Sequence, residues 1–149
     1  MTTVEFKRVF SAAHRLPFDD SKCKNIHGHN YHVRIRIDVD HYGPEKMVIA
    51  FDEVKKIIDN YDHSLILSAD DPHLTVLSGL SRVVTVKGDP TTEFMADTIA
   101  EDILVRIQEL PTRKRPTHVK VTVVLSETDN ITSRAIRQKG RPGQEVPRR

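Results

Sequence analysis

The chain has 149 residues, 38% of them hydrophobic and 30% charged, with a formal net charge of +2. This is one domain's length, with enough apolar content for a core without disulfides or a structural metal. The charge is too small to argue for nucleic acid, and no apolar run reaches the roughly 18–20 residues of a membrane span. One cysteine excludes an intramolecular disulfide, and MTTVEFKRVF lacks the features of a signal peptide, so a reducing cytoplasm is the expected compartment.

Val4 to His14 reads as the first strand, since Phe6, Phe10, Ala12 and His14 share one parity, with Arg8 the exception. The segment LPFDDSKCKN is a loop marked by Pro17 and the Asp19-Asp20-Ser21 cluster. The second strand is the clearest element. His27, His29, Tyr31, Val33, Ile35, Ile37 and Val39 fall on one face, and Asn30, His32, Arg34, Arg36, Asp38 and Asp40 on the other. Such alternation marks a half-buried antiparallel strand, and HYGPEK ends it.

Phe51, Val54, Ile57, Ile58 and Tyr61 then repeat at helical spacing. DHSLILSADDPHLTVLSGL reads as a polar-punctuated connection with room for a short helix, and RVVTV (Arg82–Val86) as a brief strand. At Asp89-Pro90-Thr91-Thr92-Glu93 a second long helix begins, with Asp89 as its cap and Pro90 in its first turn. Its stripe runs from Ala96 to Leu110, and Pro111 stops it. His118 to Glu127 is the last strong strand, with Val119, Val121, Val123, Leu125 and Glu127 on one face. Strands in pairs around helices give an α+β class with an antiparallel sheet. Residues 1–135 form a single domain, and 136–149 a basic tail with almost nothing to bury. That tail comes with no groove-reading motif, so neither a nucleic-acid nor a membrane partner is expected.

His27 and His29 point the same way from one strand, with Gly28 between them leaving room for a bend or a close approach. If the first two strands form a hairpin, His14 lies beside the start of the second. Three histidines then make a zinc site with an open fourth position; alternatively they are two surface imidazoles and one satisfied core imidazole. Cys23 sits in a polar loop between Lys22 and Lys24, which favours a thiolate. It is a fourth ligand, a nucleophile or base such as a proton acceptor beside a bound substrate, or an inert small apolar residue. Asp62-His63 is either a catalytic pair or a histidine on a helix C-terminus. Glu127 either emerges into solvent at its strand end or accepts hydrogen bonds from a ligand with adjacent N–H donors. His32, His41, His73 and His118 read as surface or turn residues.

FSAAHRLP with His14, C-x3-H-G-H-N-Y with Cys23, His27 and His29, Asp62-His63, PTTE at Pro90–Glu93 and SET at Ser126–Thr128 occur in order across residues 10–128. Together they resemble the 6-pyruvoyl-tetrahydropterin synthase superfamily. The resemblance implies a tunnelling fold, a four-stranded antiparallel sheet with two helices on one side. It also implies a homo-oligomer, typically a hexamer, whose sheets join into a barrel with active sites between subunits. His14, His27 and His29 would hold one zinc ion per subunit. Cys23 would be the proton acceptor, Asp62 and His63 its relay partners, and Glu127 the anchor of a pterin ring, with Thr91 and Glu93 also on the substrate. The implied substrate is 7,8-dihydroneopterin triphosphate.

Three residues between Cys23 and His27 look like the 6-carboxy-5,6,7,8-tetrahydropterin synthases, lyases that release acetaldehyde and triphosphate and feed 7-deazaguanine and queuosine synthesis. The alternatives are the pyruvoyl-forming enzyme, which eliminates triphosphate, and a pterin-binding homologue without turnover. The chain departs from the family in three places. Ala50 stands where an Asp commonly precedes the helix, Leu67 stands where Asn is expected, and the connection from Leu67 to Asp89 is longer than in compact bacterial members.

Overall fold

The alternation in the first two strands is realised along their whole length. In the computed structural model, which describes residues 1–140, β1 (Thr2–His14) and β2 (His27–Val39) pair antiparallel without a break, from Thr2 opposite Val39 to His14 opposite His27. The inward row of β2 is buried from Tyr31 onward, while His32, Arg34 and Arg36 stay exposed. Seven further elements complete the fold: α1 (Phe51–Asp59), β3 (Ser64–Ser68), α2 (Leu74–Ser78), β4 (Val83–Val86), α3 (Thr92–Gln108), β5 (Val119–Thr128) and β6 (Ile131–Lys139).

The sheet has six strands, not the four expected, in the order β4-β3-β1-β2-β5-β6. Nor is it wholly antiparallel: β3 runs parallel to both β1 and β4, and only the β1-β2-β5-β6 part is antiparallel. Two of the strands fall where other structure was expected. β3 is buried at all five positions, so it lacks the alternation of a half-exposed strand. β6 takes up 136–139, which the sequence assigned to the tail; the rest of that tail, 141–149, lies outside the described residues. The domain boundary at 135 therefore cuts through a strand.

One core lies between the inner sheet face and the two longer helices. Phe10, Tyr31, Ile35 and Ile37 from the sheet meet Val54 and Ile58 of α1 and Met95, Ile99, Ile103 and Ile107 of α3. Burying each such side chain contributes roughly 1.5–3 kcal/mol. Ion pairs tie the rim, with Arg106 Nε 2.7 Å from Glu53 Oε2 between α3 and α1. Arg8 clasps Asp59 with bonds of 2.7–3.0 Å. Thr91, not Asp89, caps α3: its hydroxyl accepts from the Phe94 N–H at 3.2 Å. Asp89 instead closes a tight turn, its carbonyl accepting from the Thr91 N–H at 2.7 Å. Ala50 occupies the N-cap of α1 and offers no side-chain hydrogen bond there. Leu67, the second departure, is fully buried in β3. Among the described residues, no helix is long and apolar enough to cross a membrane.

Candidate active site

The β1–β2 register decides the site. It sets His14 directly opposite His27, and Ala12 opposite His29, so three imidazoles converge at one end of the inner sheet face. His14 is buried and the other two are half-buried. One ring nitrogen from each lies within 4.8 Å of the others. His14 Nδ1 stands 2.8 Å from the Pro90 carbonyl and His27 Nδ1 2.8 Å from that of Asn25. A carbonyl oxygen only accepts, so both Nδ1 atoms carry the proton, and in each neutral ring Nε2 holds a lone pair.

Those two Nε2 atoms face each other at 3.0 Å. Two lone pairs at that distance repel unless a cation or a proton lies with them. Two nitrogens on one tetrahedral zinc, at bonds of 2.0–2.1 Å, would stand roughly 3.3 Å apart. His29 Nε2 is buried with no hydrogen-bond partner among the described residues. The donor set thus fits a divalent cation, and the carbonyls of Pro90 and Asn25 act as the outer partners that orient such ligands. Burial holds His14 below the usual histidine range, with the rings of His27 and His29 adding to the effect and the Pro90 bond and Glu127 opposing it. Burial lowers His29 as well, against the pull of Glu127. Both therefore stay neutral, the ligating form, into mildly acidic solution.

Glu127 belongs to this cluster. It lies one step beyond the last β2–β5 pair, His32 with Ser126, and at a shift in the β5–β6 register between Ser126 and Thr128. This bulge takes it out of the ladder. Its Oε2 stands 4.0 Å from His29 Nε2, and its side chain is only 14% exposed. The carboxylate closes the apolar row of β5 without reaching open solvent. Tyr31, which the sequence reading passed over as a core residue, is edge-on to both His14 and His29, with ring centroids 5.9 and 5.6 Å away. Its buried hydroxyl has no partner among the described residues and is held above the ordinary tyrosine range by burial and then by Glu127.

Cys23 lies in a 3-10 turn (Lys22–Lys24) capped by Ser21 and is half-buried and unpaired. It falls outside the group of converging nitrogens. Of the PTTE residues, Thr91 serves as the helix cap and Glu93 is exposed on the first turn of α3. The part of this motif that reaches the site is the Pro90 carbonyl, a backbone contact with no residue-type signal in the sequence.

Asp62 and His63 do form a pair: His63 Nδ1 is 2.8 Å from Asp62 Oδ2. Neighbours in sequence meet this way because His63 takes a left-handed backbone, with φ of 53°. The Ser11 N–H donates to Asp62 Oδ1 at 2.8 Å and lowers that carboxyl below its usual range, with His63 as the next cause. The His63 ring is 84% exposed. It borders a shallow cleft of about 370 Å³ together with Ser11, Ala12, Ala13, Gly28, His29, Asn30 and Ser64. By strand alternation the side chains of Ser11, Ala13 and Asn30 lie on the face opposite those of Ala12, His14, His27 and His29, so within one chain the sheet backbone stands between the Ser11 face, where His63 lies, and the imidazole rings. Neither strain nor crowding requires Gly28: a Cβ there would make an ordinary 3.4 Å contact with the Ala12 carbonyl. Its bare backbone leaves the cleft open. His118, expected at the surface, is buried just before β5.

The sequence model of the family described as 6-pyruvoyl tetrahydropterin synthase matches residues 3–136. The chain belongs to that family. It is similar to the 6-carboxy-5,6,7,8-tetrahydropterin synthase of Rickettsia felis, at 34% identity over 107 residues, covering 66% of this chain and 77% of that one. It is also similar to the enzyme of the same name from Bacillus subtilis, at 31% over 115 residues, covering 76% and 71%. The crystal structure of the 6-pyruvoyl tetrahydropterin synthase of Plasmodium vivax shares the fold, with a TM-score of 0.60 at 21% identity over 92% of this chain and 99% of that one. These likenesses give the family's motifs a place in this fold. H-G-H is the start of β2 and S-E-T the bulged end of β5.

Proposed function

We propose that the protein is a zinc-dependent lyase that converts 7,8-dihydroneopterin triphosphate into 6-carboxy-5,6,7,8-tetrahydropterin, acetaldehyde and triphosphate, the step that feeds 7-deazaguanine and queuosine synthesis. The observation that carries this reading is the imidazole triplet, with two Nε2 lone pairs turned toward each other by carbonyls on the far side of each ring. The family and the names of the curated relatives supply the substrate class.

His14 and His27 would hold zinc through Nε2, with His29 as the third ligand. When bound, zinc supplies a Lewis acid that polarises the oxygens of the substrate side chain. The remaining work falls to the chain's own groups. Cys23 Sγ accepts a proton from a side-chain carbon, and His63 Nε2 exchanges a proton while Asp62 holds Nδ1. Glu127 accepts hydrogen bonds from the ring N–H groups and fixes the reacting carbons, making proton transfer effectively intramolecular. Thr91 and Glu93, at the start of α3, would bind the substrate. Because the sheet separates His63 from the imidazoles of its own chain, the relay is supplied by a neighbouring copy in a homo-oligomer, a hexamer by family resemblance.

The test is a product assay on purified protein with 7,8-dihydroneopterin triphosphate. Acetaldehyde and a carboxypterin are expected, and Cys23→Ala should lower kcat by about 10²–10⁴ with zinc content unchanged. A pyruvoyl product would select the triphosphate-eliminating enzyme instead. Tight pterin binding without turnover would leave a binding homologue.

A further inference from the structure

The peptide unit joining Asp62 to His63 is held at both of its ends, from β1 and from the residue just before β4. Its N–H, that of His63, donates to the Ser11 carbonyl of β1 at 2.7 Å. Its carbonyl, that of Asp62, accepts from Arg82 Nη1 at 3.0 Å. The same guanidinium donates through Nη2 to the Asn60 carbonyl at 2.8 Å, with the Asn60 side-chain oxygen at 3.4 Å. Arg82 is itself fixed by its backbone, since its carbonyl accepts from the Leu65 N–H at 2.9 Å.

This geometry bears on the relay. His63 has a positive φ, which L-residues with a full side chain adopt at a cost. Only in that conformation does its Nδ1 meet the neighbouring Asp62 carboxylate. The orientation of the 62–63 peptide helps fix that φ, and the planar fork of an arginine suits two carbonyls two residues apart better than a single ammonium would. The carbonyls of Asn60 and Asp62 follow the end of α1, where helix carbonyls lack partners of their own. Arg82 comes from the connection between Leu67 and Asp89, the stretch that is longer than in compact bacterial members.

We infer that Arg82 is a positioning residue: it holds the turn that presents His63, and so keeps the Asp62–His63 pair assembled without touching substrate. This rests on the relay role of His63 proposed above.

The test uses the full chain loaded with zinc. Arg82→Ala should lower kcat by about tenfold to a hundredfold, with KM within about twofold and zinc content unchanged. Arg82→Lys, which keeps one donor, should fall between the two and also serves if the alanine variant does not fold. In a His63→Ala background, Arg82→Ala should have no further effect. Independently of turnover, the ¹⁵N signal of His63 Nδ1 in a long-range proton–nitrogen correlation should move in Arg82→Ala as the bond to Asp62 loosens. An unchanged kcat, the same loss in the His63→Ala background, or an unmoved Nδ1 signal would overturn the inference. If the wild-type protein forms no product, the lyase reading fails by that assay alone. The Nδ1 signal then decides Arg82: movement supports the positioning role and its absence refutes it.

Discussion

Two places bury histidine at opposite ends of the long β2 strand, and only one of them is built as a site. His14, 2% exposed, donates Nδ1 to the Pro90 carbonyl and turns its Nε2 lone pair to the His27 ring. His118, 3% exposed, leaves Nδ1 without a partner among the described residues, while its backbone carbonyl accepts from the Asp40 N–H just past the end of β2. Thirteen residues of strand separate the two ends, about 40 Å. Burial alone therefore does not mark a functional histidine. What marks it is a tautomer fixed from outside, with the free lone pair turned toward others of its kind.

The widest separation between the two ends should appear in metal content. His14→Ala is expected to lower zinc affinity by about a hundredfold or more, since a lost ligand should cost at least what an outer-shell change does. Elemental mass spectrometry of protein dialysed against a weak chelator would show the loss. His118→Ala should keep its zinc and its turnover while losing about 1–3 kcal/mol of stability, read by denaturant unfolding. Zinc loss in His118→Ala, or full retention in His14→Ala, would erase the distinction.

Acid should sharpen the same contrast. His14 and His29 are held below their ordinary value of 6.5 in the folded chain, mainly by burial. The unfolded chain then binds more protons as pH falls through that value, so stability declines there and levels off below the folded values. With zinc removed, the melting temperature should drop by roughly 5 °C between pH 7.5 and 5. The drop should persist in His118→Ala and shrink in His14→Ala. A slope that is equal in both variants would place the responsible groups elsewhere.

The smallest effect lies away from both histidine ends. Ala50 has extended backbone angles at the N-cap of α1 but no side-chain acceptor for the free N–H groups. Ala50→Asp should add about 1 kcal/mol, seen as a rise in melting temperature, without altering zinc content. A change in zinc content would couple this helix end to the metal site.

What could be read from the sequence followed from which surfaces stay wet. β2 was legible because one face is core and the other solvent, and that parity alone brought His27 and His29 together. The hairpin expectation put His14 within reach, and the register bore it out. β3 hid because Ser64–Ser68 is buried on both faces, which removes the period-two signal. β6 hid for the opposite reason. Its inward residues are Ser133, Ala135 and Arg137, and Arg137 meets α3 through Asp97 and Glu101 rather than through apolar packing. The Asp62–His63 contact depends on one positive φ, and the orientation of the His14 and His27 rings depends on backbone carbonyls. No side-chain pattern announces either. Nor did any pattern separate His63 from the cluster, since that follows from the sheet standing between them.

The bulge at Glu127 reaches further than its own carboxylate. Ser126 pairs with Thr132, but beyond the bulge Thr128 pairs with Ile131, one step out of phase. Were β5 straight there, the phase set at the hairpin would run the length of β6. Each residue of β6 would then face the other way. Arg134 and Ile136 would be driven against α3, and Arg137 would swing into solvent, away from Asp97 and Glu101. A single unpaired position thus acts as a phase-setter for the whole strand, and the aim of one carboxylate and the docking of the last strand stand or fall together.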